Sequence, residues 1–164
     1  MAVASSGTAT VELPTDEQIL ITREFDAPRH LVFKAWTTPE LVKRWWSGQR
    51  GAVTSAEIDL RVGGSWRYVM TSSEGLQVAF HGEHQEIVPD ERIVSTEIYE
   101  IPDQGDSPPT VNTATFTEAD GRTRLEILVQ CPSKELRDTI IDSGMEVGMQ
   151  EGMDLLEQVA VSLR

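Results

Sequence analysis

The chain has 164 residues, with 14 Lys and Arg against 27 Asp and Glu, for a formal net charge of -13. That length fits one domain with its own core, and that charge repels phosphate backbones and anionic membranes, so neither nucleic acid nor a membrane is expected as a partner. A lone cysteine, Cys131, rules out an internal disulfide and suits a reducing cytoplasm.

Residues 1–18 are mostly Ala, Ser, Thr and acid, without the basic residues and apolar run of a signal peptide or membrane span, and they read as a flexible N-terminal tail. A single domain is predicted over 19–164. Ile19, Ile21, Arg23 and Phe25 alternate with Leu20, Thr22 and Glu24, the pattern of a strand with one mostly apolar face. Asp26 and Pro28 then open a short helix that buries Leu31, Val32, Ala35 and Trp36. Thr38-Pro39-Glu40 opens a second, with Leu41, Val42, Trp45 and Trp46 on one face and Gly48 to Gly51 after it.

From Ala52 the period changes to two. Strands are predicted near 52–60, 64–71, 76–88, 92–100, 110–118 and 122–131, joined by turn signals such as Gly63-Gly64, Pro89-Asp90 and Asp120-Gly121. Strands joined in this way are antiparallel. The chain closes with a helical stretch, Pro132 to Arg164, in which Ile141, Met145, Met149, Met153, Leu156 and Ala160 form a stripe. Glycine precedes methionine at 144, 148 and 152. A helix-interior glycine costs about 0.5 to 1 kcal/mol relative to alanine, so something should come close to that stripe.

An antiparallel sheet with one face to bury and a single long amphipathic helix to cover it make an α+β fold. Trp66, Tyr68 and Met70 share one sheet face, with Phe80 on the next strand, and are bulky for one helix to cover. A space between sheet and helix is the usual place for a small apolar ligand.

Asp59-Leu60-Arg61-Val62-Gly63-Gly64-Ser65-Trp66 resembles a signature of bacterial proteins related to the C-terminal domain of the heat-shock-protein-90 ATPase activator, within the START-like, helix-grip (SRPBCC) superfamily. Phe25-Asp26-Ala27-Pro28, Lys43-Arg44-Trp45-Trp46 and the run from Gly82 through Pro89-Asp90-Glu91-Arg92 are similar to that family as well, in the same order. The resemblance implies a helix-grip fold: a curved antiparallel sheet wrapped around a long C-terminal helix, with two short helices between the first and second strands. It also implies an internal cavity. Where the family has Gly-Trp in the last helix, this chain has Gly152-Met153.

The residues offer little ready-made chemistry. His81 and His84 fall on opposite faces of an extended strand, and Cys131 has no partner at finger-like spacing, so no metal site is predicted and no cofactor is implied. Candidates for catalysis are His84, Glu86 and Tyr68, the first two alternating onto the Phe80 face. The candidate ligand-binding set is Trp45, Trp46, Trp66, Tyr68, Met70, Phe80, Met145, Met149 and Met153. Trp45 or Trp46 is expected at the entrance beside Lys43, Arg44 and Arg50, where an anionic group on the ligand would be welcome.

Three functions are therefore weighed. Binding of a small hydrophobic or aromatic molecule, as a carrier, sensor or resistance protein, leads. An enzyme of the cyclase, dehydratase or hydrolase kind acting on such a ligand comes next. A co-chaperone stimulating a heat-shock ATPase comes last, because the name-giving relatives rely on an additional N-terminal domain. Relatives often pair as homodimers, and no exposed apolar strip here demands it.

Overall fold

The computed structural model describes residues 2–4 (backbone only), 9–48, 51–101 and 103–164. The elements in chain order are β1 (Ala2–Ala4), β2 (Thr10–Glu12), β3 (Gln18–Phe25), α1 (Arg29–Thr37), α2 (Pro39–Val42), β4 (Gly51–Ile58), β5 (Ser65–Ser72), β6 (Gln77–Val88), β7 (Arg92–Ile101), β8 (Gly105–Asp106), β9 (Thr110–Ala119), β10 (Arg122–Gln130), α3 (Lys134–Asp142) and α4 (Met145–Ser162). All strands join one antiparallel sheet in the order β1-β2-β3-β10-β9-β7-β6-β5-β4, with β8 beside β7. The Asp120-Gly121 signal is a two-residue hairpin between the paired Ala119 and Arg122, and both turn residues have positive φ, as the tightest hairpins require.

Two predicted elements differ from the structure. The stretch read as a tail is partly built in: β2 pairs with β3, Ala9 and Val11 are fully buried, and Gln150 of α4 both accepts from Ala9 N (3.1 Å) and donates to Ala9 O (2.7 Å). Arg137 of α3 also donates to Thr15 O (2.8 Å). A polar, acid-rich composition hides the single buried valine that anchors the segment, because partners this far along the chain leave no local pattern. The C-terminal stretch is two helices rather than one. Gly144 sits between them at φ +84°, a left-handed conformation that costs glycine nothing and would strain an L residue. The long helix-grip helix is therefore α4.

The inner sheet face follows the alternation read along β3: Ile19, Ile21, Arg23 and Phe25 pair in register with Val129, Ile127, Leu125 and Thr123 of β10. With Ile93, Ala114 and Phe116 these form the sheet side of the core, against Val32, Phe33 and Ala35 of α1 and Met153, Leu156, Val159 and Ala160 of α4. Trp45 belongs to this core. It is 6% exposed, stacks on Trp36 (5.1 Å between centroids) and donates from Nε1 to Ala35 O (3.0 Å). Gly152 answers the question posed by its place in the helical stripe: a Cβ there would lie 3.3 Å from Trp45 O, so the α2 end packs on α4 backbone to backbone.

One polar side chain crosses this core. The Arg23 guanidinium, buried on the inner face, donates to Asp154 Oδ1 and Glu157 Oε1, each at 3.0 Å, while its plane lies 5.0 Å from the Phe25 ring. Glu157 Oε2 also accepts from Asp26 N (2.8 Å), so one carboxylate clamps both β3 and the start of the helical segment to α4. Among the described residues, no helix is long and apolar enough to cross a membrane.

Candidate functional site

The core lies under one half of the sheet, where β3, β10 and β9 meet α1 and α4. The other half is built differently. Cross-strand pairing sets Trp66 opposite Gly82, Tyr68 opposite Phe80, Met70 opposite Val78, and Phe80 opposite Tyr99. These rows share the inner face, yet Tyr68, Met70, Phe80 and Tyr99 all keep part of their surface exposed. The result is a patch of partly exposed aromatic rings on the inner face, the place at which a binding groove is proposed below. Trp46, carried just beyond α2, stands over its centre, 5.3 Å from the Tyr68 ring and 4.9 Å from the Phe80 ring, edge-on to both. Phe80 and Tyr99 stack at 4.9 Å, and Trp66 leans on Tyr68 at 4.8 Å. Ile141, Met145 and Met149, each partly buried, pack against the core at the α3–α4 elbow.

Trp66 depends on a glycine. Its Nε1 donates to Thr96 O of β7 (3.1 Å), so the indole passes over β6 at Gly82, where a Cβ would lie 2.7 Å from that nitrogen and 1.8 Å from Thr96 O. Only glycine permits that crossing. The indole thereby stands between His84 and the Tyr68–Phe80 rows.

Among the described residues, Glu97 of β7 is the carboxyl that alternates onto the Tyr99 face, where it pairs in register with Thr110. Among the described residues its hydrogen-bond partner is Asn112, whose Nδ2 donates to Oε1 over a long 3.4 Å while Oδ1 accepts from Thr110 Oγ1 (3.1 Å). Burial pushes Glu97 up to about 7 from 4.5. The side chain keeps part of its surface exposed. Burial likewise raises the Tyr68 hydroxyl well above its ordinary value, and the Glu97 charge raises it further, which places the two groups near one another.

His84 occupies a tighter place. It is 6% exposed, its Nδ1 lies 2.8 Å from Ser95 Oγ, and its Nε2 is enclosed without a partner among the described residues. Burial pushes its pKa down from 6.5 against the opposing pull of Asp59. A histidine lowered on folding contributes stability above about 6.5 that is lost as pH falls towards the folded value. Urea unfolding at pH 7.5 and 5.5 should show the wild type losing more stability than His84→Asn; equal losses would remove His84 as the cause.

The remaining sequence candidates are distributed as follows. Glu86 is turned to the outer face by a bulge between His84 and Glu86 and pairs there with Arg92, so it takes no part in the groove. His81 also faces outward, with Nδ1 2.8 Å from Glu100. Trp45 and Met153 are core residues and Met145 and Met149 pack partly buried against that core, whereas Trp46, Tyr68 and Phe80 are in ring contact on the inner sheet face, with Met70 on the same face and Trp66 beside Tyr68. Of the basic residues expected at the entrance, Lys43 is within 3.5 Å of Glu40, Arg44 is exposed, and Arg50 lies outside the described residues. Cys131 is buried, which raises its thiol pKa. Glu97 was missed because neither side of the 92–101 strand reads as apolar: Ser95 and Glu97 interrupt one face, Thr96 and Glu100 the other.

Among the described residues, no cluster of three His, Cys, Asp or Glu side chains is gathered as metal ligands. Two surface depressions lie away from the groove. One of about 450 Å³ is lined by Thr22, Arg23, Glu24, Arg122 and Glu157, and one of about 320 Å³ includes Arg67, Gln77 and Glu100. In the first, Arg23 is paired with Glu157 and Arg122 with Asp26; in the second, Arg67 is paired with Glu100 through two bonds of 2.9 Å.

Comparison with known proteins bears on the fold. Protein Ms6760 from Mycobacterium smegmatis is 25% identical, with a TM-score of 0.81 over 91% of this chain and 94% of that one. A protein from Rhodobacter sphaeroides (23%, TM-score 0.85, 94% and 99%) and one from Arthrobacter aurescens (22%, 0.82, 95% and 93%) share the same fold. No curated protein matches. Residues 26–160 match the family described as "Activator of Hsp90 ATPase homolog 1-like protein", and on that match and this helix-grip architecture the chain belongs to that family.

Proposed function

We propose that this protein binds a small hydrophobic or aromatic molecule between the aromatic half of its sheet and the α3–α4 elbow, as an intracellular carrier or sensor. The observation that supports this reading is the asymmetry of the inner face. One half is sealed by α1 and α4, while Tyr68, Met70, Phe80 and Tyr99 remain partly exposed on the other. Exposed aromatic surface on a concave wall is costly to hydrate, and an apolar ligand removes that cost. Methionines opposite can adjust their rotamers to the guest. Trp46 occupies the centre of the groove, so a flat ligand would stack beside that indole or take its place against Tyr68 and Phe80.

Replacing Met149 with tryptophan tests the site. The added ring should fill the groove and weaken binding of 2-naphthylmethanol about 10-fold or more, as followed by quenching of tryptophan fluorescence, with the far-ultraviolet dichroism unchanged. Unaltered affinity in a folded M149W variant would move the site elsewhere.

A further inference from the structure

We propose that the ligand of this groove carries a protonated amine, held by the Glu97 carboxylate and faced by the surrounding aromatic rings. The inference rests on the groove reading above and goes on to specify the chemistry of the guest.

Two acids on one strand make the case. Glu100, on the outer face of β7, accepts two bonds from Arg67 at 2.9 Å and one contact from His81 at 2.8 Å, and these partners hold its carboxyl down at about 2. Glu97, three residues earlier and on the inner face, has burial without a cation. Among the described residues, Asn112 supplies its one hydrogen bond, and no charged side chain contributes to its raised value. The groups on its face of the surrounding strands are His84 on the adjacent β6, held neutral by burial, Tyr68 on β5 beyond it, and Thr110 and Asn112 on β9, all uncharged at neutral pH. A buried carboxylate without a counter-ion is costly, and a ligand that brings the positive charge relieves that cost at the moment of binding.

The surroundings fit the same charge. Tyr68, Phe80, Tyr99 and Trp46 lie within about 5 Å of one another's ring centres in successive pairs, and aromatic faces attract ammonium groups, most strongly where water is excluded. The net charge of -13 raises the local concentration of cations around the whole molecule. An anionic head group would meet Glu97 with the same sign, so the expectation of an anionic ligand drawn from Lys43, Arg44 and Arg50 is replaced, at this inner end, by its opposite.

The test compares 2-naphthylmethylamine with its neutral counterpart 2-naphthylmethanol by calorimetry, on wild type and Glu97→Gln, at pH 8 and pH 5.5. The amine should bind at least about 10-fold tighter than the alcohol at pH 8. That preference should fall to near unity in E97Q, and in the wild type at pH 5.5, where Glu97 holds a proton. A wild type that binds both probes equally, with no effect of E97Q, overturns the amine while leaving the groove standing. An amine preference that survives in E97Q also overturns it, since the attraction then comes from the acidic surface. If neither probe binds, the groove reading itself fails and this inference with it.

Discussion

Replacing Arg23 with alanine will destabilise the protein by about 3 kcal/mol, the range seen when one member of a buried ion pair is removed. The side chain is 3% exposed, whereas its partners are not equally buried: Asp154 is 60% exposed and Glu157 30%. The loss is therefore one-sided. Without Arg23, Asp154 turns to water at little cost, but Glu157 keeps only Asp26 N, and the space left among Phe25 and its neighbours loses its packing. Asp154→Ala, by contrast, removes an exposed end of the same pair and should cost under about 1 kcal/mol. Urea denaturation of both variants checks the order. Equal effects would mean that the guanidinium contributes through charge alone and not through its place between β3 and α4. Because the clamp joins the first long strand to the last helix, the Arg23→Ala loss should also appear as faster unfolding.

Glu97→Gln will have the opposite sign at pH 8, raising stability by about 2 kcal/mol. The folded carboxyl titrates at about 7 against 4.5 without its surroundings. A group raised on folding contributes stability that is fully present below the lower value and is lost as pH rises through the upper one. The wild type should therefore weaken relative to the glutamine variant between about pH 4.5 and 7 and carry the whole penalty above that. The full interval corresponds to about 3 kcal/mol, which the groove's opening to water reduces. Thermal unfolding of both proteins from pH 5 to 8 checks this, and parallel profiles would show that Glu97 is solvated in the folded chain. A residue that weakens the protein at neutral pH is a common mark of a binding site, where stability is given up for function.

The regular parts of this fold were legible because they are local. Period-two alternation located β4 to β7, β9 and β10, though not the two-residue β8 in the loop after β7, and Asp120-Gly121 named its own hairpin. The alternation along β3 also put Arg23 on the apolar face, but nothing near it in sequence indicated that Asp154 and Glu157 would meet it there. The motif around Asp59 to Trp66 carried the family, while the roles inside it came from packing. Trp66 can cross to Thr96 O because β6 offers Gly82 at that register. Trp45 and Trp46 are adjacent, and one went to the core and the other to the groove, a division set by α4 pressing on the backbone between them at Gly152.

By itself the sequence determined the class of fold, the order of its elements, the single inner face of the sheet and the aromatic character of one part of it, since each follows from spacing along a short stretch. Only the tertiary structure decided which acid would lie inside. Glu97 and Glu100 are three residues apart on one strand and chemically identical, and the sheet's two faces gave Glu100 an arginine and a histidine as partners and Glu97 a surround of aromatic and uncharged side chains. A carboxyl's charge depends on what surrounds it in space, and here those surroundings come from β5, β6 and β9, strands whose contact with β7 no local pattern records.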